Sequence, residues 1–145
     1  MSEVRTYDSN EFSVTLGTVE VNSGRGDGAF FSLEPLAEDY TTQRGADGEV
    51  TVSKLNNYGA TVKLTVMQTS KAHKDLHALR ALGLASANGR TFAFQARDRL
   101  NGIRFEAAKA WIRKAPNEGF AREAGTREWE VELGAFTVTD ETAGA

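Results

Sequence analysis

The chain has 145 residues, no cysteine and a formal net charge of −3, from 17 Lys plus Arg against 20 Asp plus Glu. This composition excludes a disulfide framework and a thiolate metal site, and it gives no electrostatic reason to expect a tight DNA or membrane binder. With no apolar signal core and no run near the roughly 20 apolar residues of a membrane span, we expect a soluble protein that is not exported and assembles in the cytosol. We expect a single domain over residues 1–145, with a short flexible tail at about 140–145.

The first third of the chain predicts short strands joined by tight turns. Residues 12–16 alternate apolar and polar side chains, which is typical of a strand with one buried face. Gly17-Thr18 then predicts a hairpin turn, and the glycine-rich stretch 22–28 predicts a loop. The strands predicted here span residues 12–16, 19–21, 29–33 and 39–44.

The middle of the chain predicts two strands followed by a helix. Residues 49–55 and 60–67 both alternate at period two, and the four residues between them predict a turn. We therefore expect these two strands to pair as antiparallel neighbours. Thr69 or Ser70 is a suitable N-cap for a helix at about residues 70–83. The apolar stripe of this helix, which needs a sheet to cover, consists of Ala72, Leu76, Leu79 and Gly83.

The last third predicts four more strands, at residues 91–97, 104–113, 127–133 and 135–139. Segment 104–113 breaks strict alternation, which predicts a β-bulge or two differently buried halves. Trp129, Val131 and Leu133 are predicted to face inward, and Gly134 is predicted to bend the chain. Together with 14 glycines and two prolines, these patterns predict a mainly β fold: an antiparallel sandwich or barrel with one flanking helix.

The two histidines of the chain lie on the predicted helix. His73 and His77 are four residues apart on one face, which is the spacing of two zinc ligands. Without a third histidine or a cysteine, a metal site would need carboxylates from elsewhere in the chain. We therefore predict no metal site and treat both histidines as solvated side chains on the helix surface.

No other motif predicts catalysis or cofactor binding. The stretch from Gly24 to Gly28 lacks the Lys-Ser/Thr ending of a phosphate-binding P-loop, and no helix pattern follows it. The sequence contains no Gly-x-Ser-x-Gly motif, and no local context suggests a Ser, His and Asp set. We therefore predict that the protein is not an enzyme and uses no cofactor.

Glu128, Glu130 and Glu132 alternate with the inward-facing residues of the strand 127–133. Alternate positions of a strand lie about 7 Å apart on one face. Two unit charges at this spacing repel by about 0.6 kcal/mol in bulk water and about 2.4 kcal/mol at an effective dielectric of 20. The row must therefore face water or find cations. Candidate cations on a neighbouring strand are Arg104, Lys109 and Arg113.

Five segments, each weak alone, follow one another in a specific order along most of the chain: Val4–Asp8, Gly45–Val50, Thr61–Ser70, Ala110–Ile112 and Arg127–Trp129. In this order and spacing they resemble the tail tube proteins of contractile-tailed bacteriophages. The chain departs from the family pattern at His73-Lys74, where an Asn-Asp pair often lies just inside the helix.

The resemblance implies a β-sandwich or barrel with one flanking helix, similar in fold to the ring protein of type VI secretion. It implies that six copies close into a ring and that rings stack into a tube inside a contractile sheath. The implied partners are further copies of the chain, the sheath, tape measure, baseplate and terminator proteins, and double-stranded DNA that passes without specific binding. No membrane partner is implied. The implied location is the tail tube of a virion, assembled in the host bacterial cytoplasm.

Two surfaces of the chain acquire predicted roles from this resemblance. We expect Glu128, Glu130 and Glu132 to face the lumen, because an acidic wall does not hold DNA phosphates. We expect the segment 40–58 to contact neighbouring subunits or rings, because its turns are long enough to protrude. The residues assigned to this contact are Tyr40, Arg44, Asp47, Lys54, Asn57 and Tyr58.

Two alternative functions remain open from the sequence. The chain is equally compatible with a tube subunit of a phage-derived bacteriocin or contractile injection system. A different class is a monomeric β-sandwich that binds a ligand, such as a carbohydrate, through exposed Tyr40, Tyr58 and Trp111.

Overall fold

The computed structural model describes residues 4–22, 24–25, 28–87 and 91–140. These residues form a short 3₁₀ turn (Ser9–Glu11), strands and one helix. The elements are β1 (Phe12–Leu16), β2 (Val19–Glu20), β3 (Phe31–Pro35), β4 (Tyr40–Arg44), β5 (Val50–Lys54), β6 (Ala60–Met67), α1 (Lys71–Ala85), β7 (Phe92–Asp98), β8 (Ile103–Lys114), β9 (Thr126–Leu133) and β10 (Phe136–Asp140). The predicted fold class, mainly β with one flanking helix, is confirmed.

Most strands belong to one antiparallel sheet with the order β2-β1-β7-β8-β9-β6-β3. The last strand, β10, pairs with the first half of β8, whereas β9 pairs with its second half. Gly134 lies between β9 and β10 and donates its N–H to the Lys109 carbonyl oxygen at 2.9 Å. The predicted bend at Gly134 is therefore present. The predicted irregularity of β8 is also present, since its register shifts at Ile112/Lys114 against β9.

The sheet curls so that the two ends of the strand order approach each other. The ring of Phe31 on β3 lies 5.0 Å from that of Phe12 on β1 and 6.3 Å from that of Phe94 on β7. The Arg25 guanidinium, in the loop before β3, donates to the carbonyl oxygens of Phe12 and Ser9. These contacts bring the two ends of the sheet together in a barrel-like arrangement around an apolar core, with no backbone pairing between β3 and β1 in the described strands.

The core consists of the inward faces predicted from the alternation. Strands β1, β6 and β9 bury every second residue, as expected for a sheet with one face in the core. Trp129, Val131 and Leu133 on β9 are all buried. The largest fully buried side chains are Trp129, Phe94, Leu16, Leu64, Leu76 and Leu133.

Helix α1 begins at an N-cap serine and covers part of the barrel. The Ser70 hydroxyl oxygen accepts a hydrogen bond from the His73 N–H at 3.2 Å, so Ser70, one of the two predicted caps, fills this role. The helix buries Ala72 and Leu76 of the predicted stripe, and Leu79 packs partly buried against the core. Among the described residues, no helix has the length and apolar character needed to cross a membrane.

The predicted pairing of the strands 49–55 and 60–67 is wrong. Strand β5 pairs with β4 in a separate two-stranded sheet, whereas β6 pairs with β3 and β9. The residues between them do not turn back, because the Tyr58 carbonyl oxygen accepts from Phe136 and the Gly59 carbonyl oxygen accepts from Leu36. These backbone bonds carry the chain into the main sheet instead of closing a hairpin. Alternation indicated two strands correctly, but it does not specify which strands pair.

Some predicted features extend beyond the described residues. The predicted glycine-rich loop includes 23 and 26–27, the turn after the helix includes 88–90, and the flexible tail includes 141–145. These residues lie outside the described ranges. The strand predicted at 29–33 lies at Phe31–Pro35, where Pro35 is tolerated because β3 is a terminal strand of the sheet.

Candidate assembly surface

The hairpin formed by β4 and β5 closes through a tight turn at residues 45–48. The Gly45 N–H donates to the Glu49 carbonyl oxygen at 2.7 Å, and the Asp47 carboxylate accepts from the Glu49 N–H at 3.1 Å. Gly48 has a φ of +91°, a left-handed conformation that favours glycine. Asp47, one of the predicted contact residues, therefore lies at the tip of the hairpin and stabilises its turn.

Every strand residue of this hairpin is exposed. The exposed residues include apolar side chains, since Tyr40, Val50 and Val52 have 57%, 45% and 58% of their surface accessible. An isolated two-stranded hairpin is at best marginally stable in water, and its unpaired edges are templates for another chain. The hairpin is therefore a surface that contact with a second molecule would stabilise.

The register gives the hairpin two different faces, because directly opposite residues of an antiparallel pair share a face. We call one of them the apolar face; it consists of Tyr40, Thr42, Arg44, Val50, Val52 and Lys54. The other, the polar face, consists of Thr41, Gln43, Thr51 and Ser53. Three of the predicted contact residues, Tyr40, Arg44 and Lys54, thus lie together with both valines.

The remaining predicted contact residues, Asn57 and Tyr58, follow the hairpin in the segment that leads into β6. The Asn57 side-chain oxygen accepts from the Gly59 N–H at 3.2 Å, which gives Asn57 a local role in shaping the backbone. The Tyr58 hydroxyl donates to the Asn56 side-chain oxygen at 3.3 Å, and Tyr58 keeps 48% of its surface exposed. Tyr58 is therefore the more available of the two for an intermolecular contact.

A second open edge lies at β10. Within the described part of the chain this strand pairs with β8 alone, and all of its residues after Phe136 are exposed. Val138 has 53% of its surface accessible. Strand addition from another copy can use such an edge.

Glu128, Glu130 and Glu132 lie on the outer face of the barrel, opposite the buried residues of β9. In the register with β6 they lie beside Thr65, Lys63 and Thr61, respectively. None of the three carboxylates forms an ion pair within 4.0 Å in the described residues. Of the candidate cations, Arg113 lines a shallow depression with Glu130, whereas Arg104 forms an ion pair with Glu106 at 2.9 Å.

The prediction of solvated histidines is wrong for His73. This side chain is buried and accepts a hydrogen bond at Nδ1 from the Trp129 indole N–H at 3.1 Å. Its Nε2 lies 2.9 Å from Glu118 Oε1, which also lies 3.0 Å from His77 Nε2. Glu118 Oε2 in turn accepts from Arg127 Nε at 2.7 Å. We call these five residues, His73, His77, Glu118, Arg127 and Trp129, the histidine joint.

Two groups of the histidine joint have shifted pKa values. Burial lowers the pKa of His73 below its ordinary 6.5, an effect that the nearby Glu118 charge opposes. Hydrogen bonds from His77 and Arg127 lower the pKa of Glu118 to about 2. The joint was missed from the sequence because Glu118 lies in a polar connection with no periodicity, 41 residues from His77.

Three solved structures with a similar fold are described as parts of an anti-feeding prophage and of an extracellular contractile injection system. The chain is similar to the anti-feeding prophage cap, described as the tube terminating cap, with a TM-score of 0.60, 12% identity, and coverage of 97% of this chain and 95% of that one. It is also similar to a chain of the PVC sheath-tube complex, an extracellular contractile injection system in the extended state. The TM-score is 0.56 and the identity 9%, with coverage of 93% of this chain and 92% of that one. The PVC sheath/tube terminator is similar with a TM-score of 0.56 and 10% identity, and the match covers 96% of this chain and 98% of that one. At these identities the likeness shows the fold alone.

The sequence itself gives the family. Residues 6–139 match the family described as Bacteriophage PhiTE tail tube protein, and the chain belongs to this family of phage tail tube proteins. The resemblance noted from the sequence is confirmed. The family is a structural one and not a family of enzymes. No curated protein sequence matches the chain.

Proposed function

We propose that residues 1–145 form one tail-tube domain that assembles into stacked hexameric rings, and that these rings form the inner tube of a contractile phage tail. The observation that most supports this proposal is the β4–β5 hairpin, whose apolar face is exposed along both strands. The tube is the conduit through which the genome leaves the particle.

The hairpin and the edge of β10 provide two separate surfaces for contacts between copies. Different surfaces on one subunit make head-to-tail contacts, which close into a ring when the rotation permits and otherwise continue as a helix. A ring built in this way buries the strand edges that would otherwise promote aggregation. The number six follows from the family resemblance and not from the geometry of one subunit.

We further propose that Glu128, Glu130 and Glu132 face the lumen. Each Lys or Arg contact with a phosphate adds affinity that does not depend on sequence, so a lining rich in such contacts would slow the passage of DNA. An acidic lining repels the backbone instead. Because these carboxylates form no ion pair in the described residues, their charge remains available for this effect.

The proposed partners of the tube are the sheath protein, the tape measure protein and the baseplate and terminator proteins. One similar structure is described as a sheath-tube complex and another as a sheath/tube terminator, which supports the sheath and the terminator in particular. A tube subunit of a phage-derived bacteriocin or contractile injection system is the second candidate, because two of the similar structures are described as parts of an extracellular contractile injection system. Capsid and terminase genes beside the coding sequence would favour the phage, and their absence would favour the injection machine.

A substitution on the apolar face of the hairpin tests the proposal. We expect Val52→Asp to leave the subunit folded and to prevent sedimentable assemblies, because a carboxylate would then be buried at the contact. The matched control is Thr51→Asp, which adds the same charge one residue earlier on the polar face. Tubes formed by Val52→Asp as readily as by the unmodified chain would contradict the proposed contact.

A further inference from the structure

Three side chains of the histidine joint are arranged as a metal-ligand set could be. One ligand atom each from His73, His77 and Glu118 lie within 4.8 Å of one another, and two histidines four apart with a carboxylate are a common zinc ligand set. The indole N–H of Trp129, however, can only donate, so Nδ1 of His73 must be the acceptor. In a neutral imidazole the proton then lies on Nε2, the atom that faces Glu118. A metal needs that nitrogen unprotonated, so the geometry fits a proton network and not a metal ion.

We propose that the histidine joint is a proton-sensitive lock, in which neutral His73 holds α1, β9 and the connection 115–125 together and protonated His73 releases them. Neutral His73 has a contact at each ring nitrogen: Nδ1 accepts from Trp129 on β9, and Nε2 lies 2.9 Å from the Glu118 carboxylate in the connection. A second proton on Nδ1 would point at the indole N–H, a donor facing a donor. The hydrogen bond between Trp129 on β9 and His73 in the first turn of α1 is then lost.

The charges around His73 also favour opening of the joint when His73 is protonated. The groups that face it are Glu118 from the connection, His77 from α1 and Arg127 from β9. While His73 is neutral, the Glu118 carboxylate lies beside the Arg127 guanidinium and the two imidazoles. Once His73 is protonated, the same carboxylate would face two cations at close range, His73 and Arg127, with His73 largely removed from water.

The connection 115–125 has few other attachments. Arg127 donates to the Gly119 carbonyl oxygen, and the Gly125 N–H donates to the Gln68 side-chain oxygen at 3.0 Å. Phe120, between these points, has 82% of its surface exposed. Opening of the joint therefore frees a segment that presents an exposed aromatic side chain, together with the start of α1.

The sign of the pH dependence follows from the lowered pKa of His73. The contribution of neutral His73 to the stability of the folded state is complete above pH 6.5. It is lost as the pH falls from there through the lower pKa that His73 has in the folded state. Glu118, with its pKa at about 2, stays charged throughout this range. Because the chain has only two histidines, a transition between pH 7.5 and 5 has few possible sources.

Hydrogen–deuterium exchange of the full chain, followed by mass spectrometry, tests the lock in single subunits and in tubes alike. After correction for intrinsic rates, we expect the protection of 71–77 and 115–125 to fall on acidification from pH 7.5 to 5. The fall should be up to about tenfold for each unit by which the pKa of His73 is lowered. His73→Gln should abolish this response, whereas the matched control His77→Gln should retain it. Unchanged protection in the unmodified chain, or a full response in His73→Gln, would overturn the proposal.

Two further measurements do not depend on how the variants fold. Exchange of the imidazole C2 hydrogen reports each histidine pKa in the unmodified chain, and we expect a value below 6.5 for His73; a value at or above 6.5 would overturn the lock. Addition of equimolar Zn²⁺ at pH 7.5 should leave the protection of 71–77 unchanged. A rise in the protection of 71–77 in the unmodified chain would show a metal site instead. None of these results depends on tube assembly, so the lock and the proposed function can fail separately.

Discussion

A single hydrogen bond to a ring nitrogen decides the chemistry of the histidine joint. If the Trp129 indole did not donate to His73, the same three side chains would resemble a zinc site. Sequence reasoning found the two histidines and their spacing correctly. It missed the joint because neither the burial of His73 nor the approach of Glu118 leaves a local pattern.

The bond between Trp129 and His73 can be tested by removing only the donor. We expect Trp129→Phe to lower the free energy of unfolding by about 1 kcal/mol beyond the effect of the smaller ring, because a buried acceptor loses its partner. Urea unfolding of the folded subunit at pH 7.5 measures this. The comparison is Trp111→Phe, at a partly exposed tryptophan whose indole has no hydrogen bond in the described residues. Equal losses in the two variants would argue against an important bond at Trp129.

Glu118 should control acid stability in a lower pH range than His73. Because the pKa of Glu118 is lowered, its contribution to the free energy of unfolding is present above pH 4.5 and is lost as the pH falls towards 2. We expect the stability difference between the unmodified chain and Glu118→Gln to shrink over this range, as measured by urea midpoints. Glu123→Gln, an exposed glutamate of the same connection, should show no such trend. A difference that stays constant from pH 6 to 2 would contradict the network around Glu118.

At the scale of elements, the sequence predicted which residues form strands better than which strands pair. Alternation identified β6 and β9 with their buried faces, because each strand carries its own pattern. It failed for β5, whose alternating valines are exposed on a separate hairpin. Apolar residues in a strand predict burial, and in this hairpin the proposed burial is against another molecule. The error thus coincides with the surface that we propose for assembly.

The contact proposed for the hairpin can be tested by exchanging the charges at its tip, Asp47, and its base, Lys54, which leaves the net charge of the chain unchanged. We expect the double variant Asp47→Lys with Lys54→Glu to block tube growth, because both residues flank the proposed contact. The control, Glu20→Lys with Lys74→Glu, exchanges exposed charges on β2 and α1. Sedimentation at neutral pH separates the two outcomes. Normal tubes from the hairpin variant would show that these charges do not contribute.

For the whole molecule, we propose that the subunit is complete only in an assembly. The barrel has an ordinary closed core, whereas the hairpin and β10 leave strand edges open. The chain belongs to a family of phage tail tube proteins, and we propose that its copies meet through the hairpin and β10. A monomeric ligand-binding module would instead keep its tyrosines free in a small, stable monomer.

Electron cryomicroscopy of the purified chain would show how its copies are arranged and which surfaces they cover. We predict hollow tubes or six-fold rings in which the apolar face of the β4–β5 hairpin is covered by a neighbouring copy and Glu128, Glu130 and Glu132 line the channel. A chain that stays a compact monomer at high concentration, with the hairpin in solvent, would contradict the account. Tubes with the three glutamates on the outer wall would refute the acidic lumen and leave the assembly itself standing.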